Sequence, residues 1–312
     1  MKLDRKDLLG LRDLSREETE LILNTAIPMK DVICRDIKKV PTLRGKALVT
    51  VFYENSTRTR TSFELAGKYL SADTVNLSVS TSSVQKGESL RDTIKTIEVM
   101  GFDLMVMRHA MSGTPHYVAR NTRMRVINAG DGANEHPTQA LLDMYTIKEK
   151  KGTLESLKVA IVGDILHSRV ARSNIYGLSK FGCDIRVVGP ATLMPPGIEK
   201  LGVKSYYSLD EAINGVDVIN ILRIQRERQV SGLFPSLDEY AQLYMLSPQT
   251  LARAKDDVLV LHPGPINRGV EISSELADSA QALINEQVTN GVAIRMALLF
   301  LMMGGGRDEI TY

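Results

Sequence analysis

The stretch Lys46-Ala47-Leu48-Val49-Thr50-Val51-Phe52-Tyr53-Glu54-Asn55-Ser56-Thr57-Arg58-Thr59-Arg60-Thr61-Ser62-Phe63-Glu64 changes character halfway along. Up to Tyr53 it is a short apolar, β-branched run, the pattern of a strand. From Thr61 to Leu70 apolar residues return at the spacing of a helix face. Strand followed by helix is the repeating unit of an α/β protein, and the alternation continues along the chain. Thr74–Leu77, Leu104–Arg108 and Arg125–Ile127 read as further strands in the first half; Lys158–Val162, Asp184–Val188, Val216–Ile221 and Val258–Leu261 do so in the second. Helical spacing also marks Thr138–Lys150 and Asp210–Ile213.

The expected fold class is therefore α/β with two domains, each a parallel β-sheet of about four strands flanked by helices. The segment from Thr138, with apolar Leu141, Leu142 and Tyr145 and a stop at Gly152, is the expected bridge between them. Asn285–Met303 reads as one long helix whose Val288, Val292, Met296, Leu299 and Met303 keep a helical spacing. It is expected to pack back on the first domain, so that 1–140 with 285–312 form one domain and 141–284 the other. Gly304-Gly305-Gly306 reads as its terminator.

Composition narrows the function classes. The chain has 312 residues, 43% hydrophobic and 24% charged, which is ordinary globular composition and long enough for two cores. Lys+Arg number 39 against 37 Asp+Glu, a formal charge of +2, so no polybasic nucleic-acid surface is expected and anion binding must come from local clustering. Cys34 and Cys183 stand far apart, which excludes a disulfide framework or a structural zinc site. The N-terminus mixes charge signs before any apolar run, and Val292–Met303 contains Arg295 and falls short of the ~20 residues a bilayer requires. A soluble cytoplasmic protein without membrane or nucleic-acid partners is expected.

The strand-to-helix turn carries the strongest chemical signal. A helix start offers free backbone N–H groups and the positive end of the helix dipole, and Ser56, Thr57, Arg58 and Thr59 add hydroxyls and a guanidinium, the donor set a phosphate dianion requires. Ser56 or Thr57 alone would be an ordinary N-cap. Neither G-x-x-x-x-G-K-[ST] nor G-x-G-x-x-G occurs, so a Walker-type loop and a dinucleotide fingerprint are not expected. Arg108 stands at the end of a predicted strand, where ligands of parallel sheets bind, and His136-Pro137-Thr138-Gln139 precedes the bridging helix. Polar loops follow at Ser80–Ser89 and after Arg223-Ile224-Gln225, and Arg169 and Arg172 follow the turn Gly163-Asp164. His262-Pro263-Gly264-Pro265 reads as a stiff turn after the last strand. His109, His116 and His167 read as surface or packing residues.

Phe52, Glu54, Ser56, Thr57, Arg58 and Thr59 match, in order, the F-x-E-x-S-T-R-T signature of the aspartate and ornithine carbamoyltransferase family, which the chain resembles along nearly its whole length. The resemblance implies a carbamoyl-phosphate site on Ser56, Thr57, Arg58, Thr59, Arg108, His136 and Gln139, with Ser82 and Lys86 reaching into a neighbouring subunit's site. Gln85 stands where some relatives carry a second lysine. Arg223-Ile224-Gln225 resembles the family's aspartate-specific loop, and no Ser-Met-Gly of the ornithine type is present. Arg169 (or, second, Arg172), Arg223, Gln225, Lys86 and the backbone carbonyls of Gly264 and Pro265 would then hold aspartate; Gly264 replaces the commoner leucine. The implied reaction joins the carbamoyl group of carbamoyl phosphate to the α-amino group of L-aspartate in pyrimidine synthesis. Arg58, Thr59, Lys86, Arg108 and His136 would be its catalytic set, with no metal or organic cofactor. A homotrimer with shared active sites is implied, while binding to regulatory chains or a dihydroorotase stays open. Ornithine as acceptor, or a catalytically silent scaffold, are the alternatives.

Overall fold

Ala47–Phe52 forms β1, and Leu48–Val51 within it are buried, as expected of an apolar strand covered on both faces. Thr50 fits there because its hydroxyl donates to the Asn76 side-chain oxygen at 3.0 Å on the next strand. β2 (Asp73–Ser78), β3 (Leu104–His109) and β4 (Arg125–Asp131) complete a sheet of order β2-β1-β3-β4, parallel throughout. Around it lie α1 (Arg16–Cys34), α2 (Thr57–Tyr69), α3 (Leu90–Val99) and α4 (Thr114–Arg120). Val49, Val51, Met105, Met107 and Val126 of the sheet pack against Ile94 and Ile97 of α3 and Val118 of α4. α1 starts with a reciprocal cap in which the Ser15 hydroxyl accepts the Glu18 N–H and the Glu18 carboxylate accepts the Ser15 N–H.

The second sheet runs β7-β6-β5-β8-β9, built from β5 (Lys158–Val162), β6 (Asp184–Val188), β7 (Lys204–Tyr206), β8 (Val218–Ile221) and β9 (Leu259–Leu261), again all parallel. Two helices cross the division between units: α5 (Pro137–Lys151) leads into the second, and α11 (Ile284–Met303) leads back to the first. Between them come α6 (Arg169–Ser179), α7 (Leu209–Ile213), α8 (Leu237–Tyr244), α9 (Pro248–Leu251) and α10 (Ser274–Ala277). The computed structural model describes residues 3–78, 88–224 and 236–304. It divides the chain into Met1–Leu141 with Thr289–Tyr312, and Leu142–Val288.

In each sheet the chain lays down neighbouring strands in one direction and then returns to the far side of its first strand. The connections therefore diverge between β1 and β3 in one unit and between β5 and β8 in the other. Such switch points leave an open crevice at the carboxyl ends of the strands, where open α/β sheets bind their ligands.

Two features differ from the sequence reading. β7 is, among the described residues, a strand beyond those the apolar pattern reveals, because at three residues on a sheet edge, starting with exposed Lys204, it has no room to show a period. α11 does not bury a single stripe: Ala293, Ile294, Met296–Leu299 and Leu301–Met303 are buried on all sides, while Val288 on the expected stripe is exposed. Among the described residues, no helix is long and apolar enough to cross a membrane.

Candidate functional site

The turn between β1 and α2 lies at the first switch point. Ser56 occupies the N-cap position with extended backbone, yet its hydroxyl makes no capping bond, and the first turn of α2 contains no acidic residue. The leading N–H groups of this 13-residue helix and the Ser56 hydroxyl are the donor set that suits an anion at a helix start. Thr57 and Arg58 are exposed, whereas Thr59 is buried, so the four residues offer donors at different depths.

Arg108 stands on β3 directly opposite Phe52, and its carbonyl accepts the Tyr53 N–H at 2.9 Å. Its guanidinium donates to the Glu54 carboxylate at 2.8 Å and to the Ala129 carbonyl at 3.3 Å. Residues distant in sequence are thus gathered by strand pairing: the start of α2, Glu54 and Arg108 lie at the same end of the sheet. Glu54 holds the arginine side chain in a partly buried position. His109, next along β3, accepts the Met111 N–H on Nδ1 and stacks at a tilt 4.9 Å from the Tyr53 ring. Burial lowers its imidazole below the usual value, and the nearby charges of Asp131 and Glu54 only partly offset this.

His136 is buried at the end of the loop leaving β4, and its carbonyl accepts the Gln139 N–H at 3.0 Å to start α5. The loop is pinned by two buried carboxylates. Asp131 accepts the Gly113 N–H at 2.7 Å and the Asn128 amide at 2.8 Å. Glu135 accepts the N–H groups of Leu11 at 2.7 Å and Arg12 at 3.3 Å from the N-terminal segment. Arg295 of α11, itself buried, donates to the Ser62 hydroxyl at 3.0 Å and lies within 3.5 Å of the Thr138 hydroxyl, bracing α2 and the start of α5 together.

In the second unit, Arg169 opens α6 after β5, behind a Ser168 hydroxyl that accepts the Ala171 N–H at 3.1 Å. Arg169 is buried and Arg223, just past β8, is half-buried. The two therefore rise from the strands that flank the second switch point, β5 and β8. Arg172, the alternative to Arg169, also lies on α6. Gly264 and Pro265 follow β9, the neighbour of β8, and are joined by a cis peptide bond. Asn267 reaches from this loop to the Ile224 carbonyl at 3.5 Å, so the segments at Arg223 and Gly264 adjoin.

Ser82, Lys86 and Gln225 lie outside the described residues. The sequence reading assigned no role to Glu54, Glu135, Glu271 or Asn267. Glu54 stood inside the quoted motif, but no local signal joined it to Arg108, 54 positions away. The others act on groups brought near by folding, which no local pattern marks.

Two parallel sheets, each with arginine at its switch point and one of them with a donor-rich helix start, define the architecture of a two-domain transferase for anionic substrates. Residues 6–149 match the carbamoyl-P binding domain and residues 155–302 the Asp/Orn binding domain of aspartate/ornithine carbamoyltransferases. The chain belongs to the aspartate/ornithine carbamoyltransferase family. It is 67% identical over 305 residues to the aspartate carbamoyltransferase catalytic subunit of Moorella thermoacetica, covering 98% of this chain and 99% of that one. Aspartate transcarbamoylase from Trypanosoma cruzi, in complex with carbamoyl phosphate and aspartate, superposes with a TM-score of 0.89 at 30% identity, over 96% of this chain and 98% of that one. Ornithine carbamoyltransferase from Thermus thermophilus shares the fold with a TM-score of 0.84 at 26% identity, over 96% and 99% of the two chains.

Proposed function

We propose that this chain transfers the carbamoyl group of carbamoyl phosphate to the α-amino group of L-aspartate, giving N-carbamoyl-L-aspartate and phosphate for de novo pyrimidine synthesis. The observation that carries this reading is that each sheet offers arginine at its own switch point, Arg108 beside the α2 N-terminus in one unit and Arg169 with Arg223 in the other. Two anionic substrates call for two such sets. A cationic acceptor such as ornithine suits the second set poorly.

Attack of the amine on the carbonyl carbon builds negative charge first on the carbonyl oxygen and then on the departing phosphate. In this reading Thr59, Arg108 and His136 donate to the oxygen, and Gln139 holds the carbamoyl amide. Ser56, Thr57, Arg58 and Thr59 take the phosphate, with Ser82 and Lys86 supplied by a neighbouring subunit. Arg169, Arg223 and Gln225 orient the aspartate carboxylates, and the carbonyls of Gly264 and Pro265 receive its amino group. His136 acts as a donor rather than a base, and the leaving phosphate accepts the amine proton. The chemistry uses no metal or organic cofactor. The enzyme works in the cytoplasm as a homotrimer, and the words "catalytic subunit" in the relatives' names support an assembly with further chains, a regulatory chain or a dihydroorotase among the candidates.

The test is turnover of the purified chain with carbamoyl phosphate and either L-aspartate or L-ornithine, read by phosphate release and product mass. Aspartate-dependent product is the expected result; ornithine-dependent product overturns the acceptor, and no turnover with either overturns the reaction. Mixing Lys86→Ala with Arg58→Ala chains tests the shared site: mixed trimers are expected to recover activity that neither parent has.

A further inference from the structure

His262 ends β9, and its imidazole is fully buried. Nδ1 accepts the Gly264 N–H at 2.8 Å, so that nitrogen carries no proton. The ring proton therefore sits on Nε2, which donates to the Glu271 carboxylate at 3.2 Å. The same Glu271 oxygen accepts the Asn267 N–H at 2.7 Å, and the other accepts the Asn267 side-chain amide at 3.1 Å. That amide also reaches the Ile224 carbonyl, the residue after Arg223, at 3.5 Å. From the opposite side, the His262 N–H donates to Gln287 at 2.9 Å, and Gln287 donates to the buried Asp143 at 2.7 Å.

Glu271 is wholly buried and is surrounded by N–H donors from the loop it follows. A buried carboxylate is costly unless such donors meet it, and once they do it fixes their positions. Its donors belong to the loop after β9, and through them it reaches both segments assigned above to the acceptor amino acid: His262, which it holds, accepts from Gly264, and Asn267, which it also holds, donates to the carbonyl beside Arg223. We propose that Glu271 is a positioning residue for the acceptor, which fixes the Gly264–Pro265 loop and the Arg223–Ile224 segment relative to each other through His262 and Asn267. The proposal rests on the aspartate reading and names what sets the spacing of the aspartate-binding groups. Glu271 itself touches no substrate.

The experiment measures KM for aspartate, KM for carbamoyl phosphate and kcat in the wild type, Asn267→Ala and Glu271→Gln, at a temperature where each is folded by circular dichroism. Asn267 is only half-buried, so its truncation keeps the test available where Glu271→Gln does not fold. Losing hydrogen bonds to a charged group is expected to raise the aspartate KM on the order of tenfold or more, with the carbamoyl-phosphate KM within about twofold because that site belongs to the other unit. A general loss of stability would not separate the two constants. Unchanged aspartate KM in the folded variants, or an equal rise in both constants, overturns the proposal while the aspartate reading stands. A wild type with no aspartate-dependent turnover overturns that reading first and the proposal with it. In the wild type, imidazole nitrogen shifts should report the Nε2–H tautomer of His262; a doubly protonated or Nδ1–H ring also overturns the proposal.

Discussion

Replacing Gly10 by alanine tests how the buried loop before His136 is held. A methyl group on Gly10 would lie 2.6 Å from the carboxylate carbon of Glu135, and closer still to one of its oxygens. Carbon atoms settle at about 3.5–4.0 Å, so the carboxylate must retreat by about 1 Å. The Leu11 N–H bond of 2.7 Å would then open beyond hydrogen-bonding range, and the 3.3 Å bond from Arg12 has nothing to spare. Glu135 is buried, so water does not replace what is lost. Bonds to charged groups contribute about 1.5–3 kcal/mol each, so losing both places the expected destabilisation of Gly10→Ala at about 3–6 kcal/mol. Urea unfolding followed by circular dichroism measures this, and turnover of the folded fraction should fall as well because His136 follows Glu135 directly. Glu135→Asp shortens the offending side chain by one methylene, so Gly10→Ala combined with Glu135→Asp should be less destabilised than the sum of the two single changes. A Gly10→Ala chain with wild-type unfolding midpoint and turnover would refute the reasoning, and strict additivity would show that the two residues do not meet.

Arg108→Ala should reduce carbamoyl transfer on the order of 10²–10³-fold, as expected for a preorganised charge donor, and a variant retaining most of its turnover would remove Arg108 from the site. His109 should titrate below its ordinary value of 6.5 in an NMR titration, because burial disfavours the charged ring. Since the unfolded chain then binds more protons than the folded one as pH falls through that value, this residue makes the protein less stable at pH 5.5 than at pH 7.5, and His109→Asn should flatten that slope. Arg295→Met leaves the Ser62 hydroxyl and the Gly291 carbonyl without the donor that now lies 3.0 and 2.9 Å away, and should cost about 1–3 kcal/mol in urea unfolding.

Much of the architecture is legible along the chain. Ala47–Phe52, Lys158–Val162 and Asp184–Val188 announce themselves as strands because a parallel sheet covered on both faces needs uninterrupted apolar runs. Gly152 stops α5 where a left-handed conformation is required, with φ of 75°. The α2 turn is legible for a different reason: all its donors are consecutive, so one short motif contains both the helix start and the chemistry. β7 is not legible, since three residues at an edge owe their pairing to β6 rather than to any pattern of their own. The exposed Val288 escapes for a related reason, because helical spacing says which residues share a stripe but not what lies against it.

The carboxylates mark the boundary most clearly. By itself the sequence determined the two α/β units, the donor-rich turn and the arginines at strand ends, because each depends on neighbours a few residues away. It did not determine that Glu54 meets Arg108 across 54 positions or that Glu135 meets Leu11 across 124. Nor did it assign Glu271 to His262 and Asn267. A carboxylate is placed by whichever N–H groups it meets once water is excluded, and only the tertiary structure decides which backbone that is.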